Sequence, residues 1–177
     1  MYGCVGVGFA EGCADRLMSQ SVCVDVLLSR AECRAAALVG VERRLRALGE
    51  GSREVYGAAA GGDYWTIDVE AAAGELAVAK LLDVFWSAKD SPAEDRVAGD
   101  VAGHQVRHSR RFDASLICHR RDSDDQVFVL VVGAMPSFRV VGWLPGVEAK
   151  SSVFWREDVP RAAFFVPQSA LRPIGVL

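Results

Sequence analysis

At 177 residues and 19.1 kDa the chain has the length of one domain and falls short of two full ones. At that size about 70% of the extended-chain surface can be buried, so a core can form without disulfide or metal staples. A composition of 51% hydrophobic and 24% charged residues excludes disorder, collagen-like sequence and a coiled coil, and no apolar run approaches the ~20 residues of a membrane helix. The net charge of −3 excludes a wholly basic nucleic-acid coat protein and leaves room for a local basic patch.

Met1 to Leu17 carries Gly3, Gly6, Gly8 and Gly12, has no basic leading region and contains Glu11 and Asp15, so it makes a poor signal peptide. The reading is that residues 1–20 form either a poorly ordered tail or a non-native extension with Met18 as the natural start, and that residues 21–177 form a single domain. Cys4, Cys13, Cys23, Cys33 and Cys118 are odd in number and include no Cys-x-x-Cys pair. That pattern fits buried, reduced thiols in a cytoplasmic protein better than a zinc ribbon or a secreted disulfide framework.

In chain order, Ser21 to Leu28 alternates as a strand with Val22, Val24, Val26 and Leu28 on one face. Ser29 followed by Glu32 makes a capping box. It opens a helix with apolar positions Ala35, Leu38, Val39, Val41, Leu45 and Leu48 and with Arg34, Arg43, Arg44 and Arg46 on the rest of its surface. Gly49 and Gly51 end it, and residues 52–64 read as loop. A second helix is expected from Ile67 to Phe85, with Glu75 beside its apolar stripe. Residues 87–103 read as a polar loop closing in Gly99-Asp100-Val101-Ala102-Gly103. Strands follow at His104–Ser109, Ser115–Arg120, Val127–Val132, Phe138–Trp143 and Ala163–Val166. The continuously apolar Phe128–Val132 marks the central, doubly covered strand. Pro145-Gly146 breaks the chain before a short helix carrying Glu148-Ala149-Lys150. The class is α+β: a mixed or mainly antiparallel sheet of about five strands, its second half an antiparallel meander, with two long helices packed on one face.

Three features bear chemistry. Glu75 sits among small residues in Ala71-Ala72-Ala73-Gly74-Glu75-Leu76-Ala77, where another element can approach the backbone closely. Asp100 stands in a Gly-rich turn leading into a strand, a position from which its side chain is aimed or caps nearby amides. Period 2 puts Gln105 and Arg107 on one strand face, with Val106 on the other. The order helical Glu, Asp, Gln-x-Arg resembles the PD-(D/E)XK nuclease superfamily, which holds Mg²⁺ between carboxylates for phosphodiester hydrolysis. The resemblance implies Glu75 and Asp100 as metal ligands, Gln105 as an amide ligand and Arg107 in the place of the lysine. Hard oxygen ligands suit Mg²⁺, which stabilises phosphate charge and acidifies a water. The implied site is degenerate, because Arg107 stays protonated and Gln105 is neutral.

The strings Ala73-Gly74-Glu75-Leu76-Ala77-Val78-Ala79-Lys80, Gly99-Asp100-Val101, Gln105-Val106-Arg107-His108, Asp124-Asp125 with Phe128-Val129-Leu130-Val131, and Gly142-Trp143 with Glu148-Ala149-Lys150 look like a family of small, mostly uncharacterised phage and prophage proteins. That resemblance covers residues 22–173 and implies a phage origin and a shared fold, in the cytoplasm of an infected or lysogenic bacterium.

Charge placement adds an independent signal. His104–Arg121 holds Arg107, Arg110, Arg111, Arg120, Arg121 and all three histidines against the single acid Asp113, so it is +4 and the rest of the chain −7. A hairpin with one basic end can grip a phosphate backbone. Asp124 and Asp125 are expected to shape a turn or pair with Arg120 and Arg121, and Trp143, Phe154, Trp155, Phe164 and Phe165 to lie in the core or cover the sheet, with a base-stacking platform as the alternative. The leading reading is a phage-encoded, nuclease-like protein acting on DNA through Glu75, Asp100, Gln105 and Arg107. Beside it stand a non-catalytic nucleic-acid-binding module using Arg107, Arg110, Arg111, Arg120 and Arg121, and a factor directed at a bacterial host protein.

Overall fold

A computed structural model of the chain describes residues 23–50, 63–88 and 99–177. The expected extension at 1–20, most of the 52–64 loop and the middle of the 87–103 loop lie outside the described residues.

Strand β1 (Val24–Leu27) leads through Ser29 into helix α1 (Arg30–Gly49). Both halves of the capping box form: Ser29 Oγ accepts from the Glu32 amide at 3.3 Å, and Glu32 Oε2 accepts from the Ser29 amide at 2.5 Å. Two of the otherwise unpaired amides at the helix start are thereby satisfied. Helix α2 (Tyr64–Leu82) begins three residues before the expected Ile67, because Asp63 caps it by accepting from the Trp65 amide. It ends at Leu82 rather than Phe85, where Asp83 turns left-handed at φ 53°. The rest comprises β2 (His104–Ser109), β3 (Leu116–Cys118), β4 (Val127–Ala134), β5 (Ser137–Pro145), α3 (Gly146–Ala149), β6 (Trp155–Arg156) and β7 (Ala163–Val166).

The fold class is α+β, and the strands form two sheets instead of one of about five strands. The first is mixed, in the order β1-β5-β4-β2, with β2 parallel to β4 and the other pairs antiparallel; the second is the antiparallel sheet β3-β7-β6. The expected basic hairpin and meander are therefore corrected. Strands β2 and β3 belong to different sheets and do not pair, and β4 reaches β2 in parallel after the chain has passed through the second sheet.

Strand β4 is the covered centre that its apolar run implies. Val129 and Val131 face a core shared with Ala73, Ala77 and Val78 of α2, while Phe128, Leu130 and Val132 face a second core with Leu116, Cys118, Phe164 and Val166. The helices also differ from expectation. Helix α2 lies on the first sheet, but α1 packs chiefly along α2, reaching the sheet core only near its start through Ala36 and Cys33. The turns of α1 facing α2 carry Ala36, Gly40 and Arg44, whereas the expected core residues Leu38, Leu45 and Leu48 are exposed. Gly40 explains the inversion: a Cβ there would lie 2.4 Å from Val69 Cα, so the two backbones approach more closely than any side chain permits. Of the cysteines described, only Cys118 is buried, where burial pushes its thiol up to about 12; Cys33 is half-buried and Cys23 exposed, correcting the expectation of a buried set. No described helix is long and apolar enough to cross a membrane.

Candidate nucleic-acid interface

The four residues of the implied metal site are placed in three different environments. Glu75 stands on α2, nearly buried, and its carboxylate receives both ends of the Arg43 guanidinium from α1 at 2.6 and 2.8 Å. The indole of Trp86 donates to the same carboxylate at 3.2 Å. This bidentate pair fastens α1 to α2.

Asp100 lies along the outer edge of β2, the terminal strand of the first sheet. Its Oδ2 accepts from the Val106 amide at 2.7 Å, while the Asp100 and Val101 amides donate to the His104 carbonyl at 2.8 and 3.1 Å. Left-handed Gly99, Ala102 and Gly103 bend the segment back over that edge. Asp100 thus covers backbone groups that an open sheet edge would expose to a second chain.

Gln105 and Arg107 share a strand face, as period 2 requires, and it is the face turned away from α2. Their register partners Phe128 and Leu130 belong to the second core. Val106 and His108 point the other way, and a Cβ on Gly74 of α2 would lie 3.4 Å from His108 Cβ. Arg107 Nη1 donates to Gln105 Oε1 at 3.3 Å, and Nη2 donates to Asp122 Oδ2 at 3.1 Å.

The sheet therefore stands between Glu75 and the Gln105–Arg107 pair. The set does not fit a Mg²⁺ ion held between Glu75 and Asp100 with Gln105 as third ligand: one carboxylate neutralises an arginine, the other caps a strand edge, and the amide faces the opposite core. Among the described residues no group of three or more His, Cys, Asp or Glu side chains is placed to hold a metal ion. Glu75, Asp100 and the Gln105–Arg107 pair are therefore not brought together at one point. Alternation along β2 separates side chains that sequence order brings close.

Of the basic stretch, Arg107 and Arg111 meet at one cleft. Because β2 and β3 part into two sheets, a cleft of about 600 Å³ opens between them. Arg107 from β2 and Arg111 from the following turn line it, and Arg156 from β6 joins them across the second sheet. Its apolar wall is built from Leu130, Ile117 and Phe165. Asp122 anchors the inner end by accepting from both Arg107 and the His119 amide, the latter at 2.9 Å. Arg111 pairs with Asp113 at 2.8 Å and Arg156 with Asp158 at 2.5 Å, both on the surface. His119, also on the cleft, is held below the ordinary imidazole range, first by burial and then by Arg161.

The other sequence-selected arginines do not line this cleft. Arg110 reaches Glu70 of α2 at 3.4 Å, and Arg120 lies over the Trp155 ring at 4.1 Å. Asp124 pairs with Lys150 at 2.5 Å instead of with Arg120 or Arg121. Sequence reasoning missed Arg156, the anchoring of Arg107 by Asp122 and the cleft-facing role of Phe165. The first and last lie 35 or more positions beyond the basic stretch, and only the β3–β7 pairing of Ile117 with Phe165 brings that region alongside.

Comparisons of the chain with family models, with curated proteins and with solved structures return no match.

Proposed function

We propose that this chain is a nucleic-acid-binding module without catalysis, working in the cytoplasm of a phage-carrying bacterium, the setting that the family resemblance implies. The observation that carries the reading is the convergence of Arg107, Arg111 and Arg156 from three separate segments on one cleft. Guanidinium groups present planar paired donors suited to phosphate oxygens. The chain as a whole is acidic, so attraction for a polyanion has to come from a local arrangement of this kind. A hydrolytic reading loses its support from the separation of Glu75 from Gln105 and Arg107.

Fluorescence anisotropy of labelled oligonucleotides between 25 and 200 mM salt tests the reading. Three to five neutralised phosphates on a single strand give a slope of log affinity against log salt of about −2 to −4. Replacing Arg111 and Arg156 together by Ala lowers affinity at least tenfold. Absence of binding at 25 mM salt, or binding indifferent to both substitutions, defeats it. Mg²⁺-dependent cleavage abolished by Glu75→Ala would reinstate the nuclease reading.

One observation favours a second reading, a factor that docks on a host protein. Leu38, Leu45 and Leu48 are exposed at 62%, 50% and 57% along one side of α1, and a monomer rarely leaves such a contiguous stripe uncovered. Loss of capture of a host protein on Leu38→Glu, with oligonucleotide binding absent throughout, would decide for it.

A further inference from the structure

We infer that the cleft between β2 and β3 is a seat for one nucleotide of a single strand, with the phosphate on Arg111 and Arg156 and the base against Phe165 and Ile117. The inference rests on the nucleic-acid reading and names the unit that enters.

A volume of about 600 Å³ lies within the range of sites that enclose whole small molecules, roughly 300–1,000 Å³, and is far more than one phosphate group fills.

The lining is two-sided in the way a nucleotide is two-sided. Leu130, Ile117 and Phe165 make an apolar wall, and guanidinium groups stand at its rim. Arg156 lies over the Phe165 ring at 5.7 Å from its centroid, so the aromatic surface a base would meet and the cation a phosphate would meet stand side by side. Stacking of that kind tolerates any base and favours single strands, whose bases are free to leave the helix. A paired duplex keeps its bases inside and must unpair and unstack one before the cleft can receive it.

The arginines differ in how firmly they are held, and the difference assigns their tasks. Arg107 is tied to Asp122, whose side chain is only 12% exposed, and its guanidinium also lies 5.1 Å from the Phe128 centroid. It forms fixed wall. Arg111 and Arg156 are paired with Asp113 and Asp158, partners two positions away, and all four side chains are at least half exposed. Both are two-point contacts at the surface, so a phosphate takes either guanidinium in competition with a solvent-exposed carboxylate.

The test uses the full chain and three small probes, AMP, adenosine and inorganic phosphate, by titration calorimetry and by competition against a labelled single strand. AMP is expected to bind and to displace the strand, with adenosine and phosphate each at least tenfold weaker. Phe165→Ala should weaken AMP by about tenfold, the loss of one stacked base, and leave phosphate unchanged; Arg156→Ala should weaken both. Ile117→Ala, at a partly exposed position on the same wall, gives the same discrimination if Phe165→Ala does not fold. Phosphate binding as tightly as AMP, or duplex as tightly as single strand, overturns the base seat. Salt-sensitive strand binding that AMP does not displace overturns the seat and leaves the nucleic-acid reading standing. AMP binding with no oligonucleotide binding overturns the strand and leaves a site for a free nucleotide.

Discussion

Gly40→Ala tests the packing that holds the helical layer in place. The added Cβ would stand 2.4 Å from Val69 Cα, 2.6 Å from its amide nitrogen and 2.8 Å from the Asp68 carbonyl carbon, all backbone atoms that no rotamer change can move. Ordinary contact begins near 3.4 Å, so α1 and α2 must part by about 1 Å locally. Overpacking of this kind costs about 1–3 kcal/mol, and a gap of that width forfeits a quarter to a half of each neighbouring dispersion contact. Alanine returns up to about 1 kcal/mol through its higher helix propensity. The expected net destabilisation is about 1–2 kcal/mol, or a fall in Tm of roughly 2–8 °C for a chain of this length. Urea denaturation followed by far-UV circular dichroism measures it. Gly49→Ala is the control, since a Cβ there meets nothing within 4 Å, and that variant should be unchanged or slightly more stable. A Gly40→Ala protein as stable as Gly49→Ala would refute the close crossing of the helices.

The Arg43–Glu75 pair should behave as a structural clasp. Glu75→Gln leaves a guanidinium only 16% exposed beside a neutral amide and is expected to cost about 2–3 kcal/mol in urea, below the 3–5 kcal/mol of a fully buried pair. Oligonucleotide affinity should stay within twofold of the parent, whereas a tenfold loss would return Glu75 to the binding site. In the cycle with Arg43→Met the double variant should be more stable than the sum of the singles implies; additivity within about 0.5 kcal/mol would show that the two side chains do not act together. Stability should also fall as pH drops from 7 to 5. Burial is the main cause holding His104, His108 and His119 below the ordinary imidazole value. The unfolded chain therefore takes up protons first, near pH 6.5, and the contribution complete above that pH is lost toward the lower folded values. His108→Gln should flatten the decline in urea midpoint, since His108 is the one packed beneath Gly74 and hydrogen-bonded to the Gly133 carbonyl at 2.9 Å. An unchanged decline would exclude His108 as a contributor.

Local signals carried much of the secondary structure. The capping box at Ser29 and Glu32 placed the start of α1, because both partners lie within one turn and the motif requires no tertiary contact. The strands His104–Ser109 and Ala163–Val166 fall where alternation put them. Helix α2 was displaced at both ends, since Asp63 as cap and Asp83 in a left-handed turn compete with an apolar stripe that by itself has no sharp limits. The exposed leucines of α1 show where periodicity fails. In this helix the buried face was chosen by how closely Gly40 lets two backbones approach, and the larger side chains were turned outward.

The candidate site divides in the same manner. Amino-acid order alone determined that a run of arginines is concentrated between residues 104 and 121, that Gln105 and Arg107 share a face, and that Phe128 to Val132 runs through the centre. Only the tertiary structure decided that β2 pairs in parallel with β4 while β3 leaves for a second sheet. That parting opens the cleft, brings Arg156 and Phe165 to Arg107, and puts the sheet between Glu75 and the residues expected beside it. The physical reason is that strand alternation is a local property, whereas partner and sheet are fixed by burying two separate cores, one on each side of β4, from residues far apart in the chain.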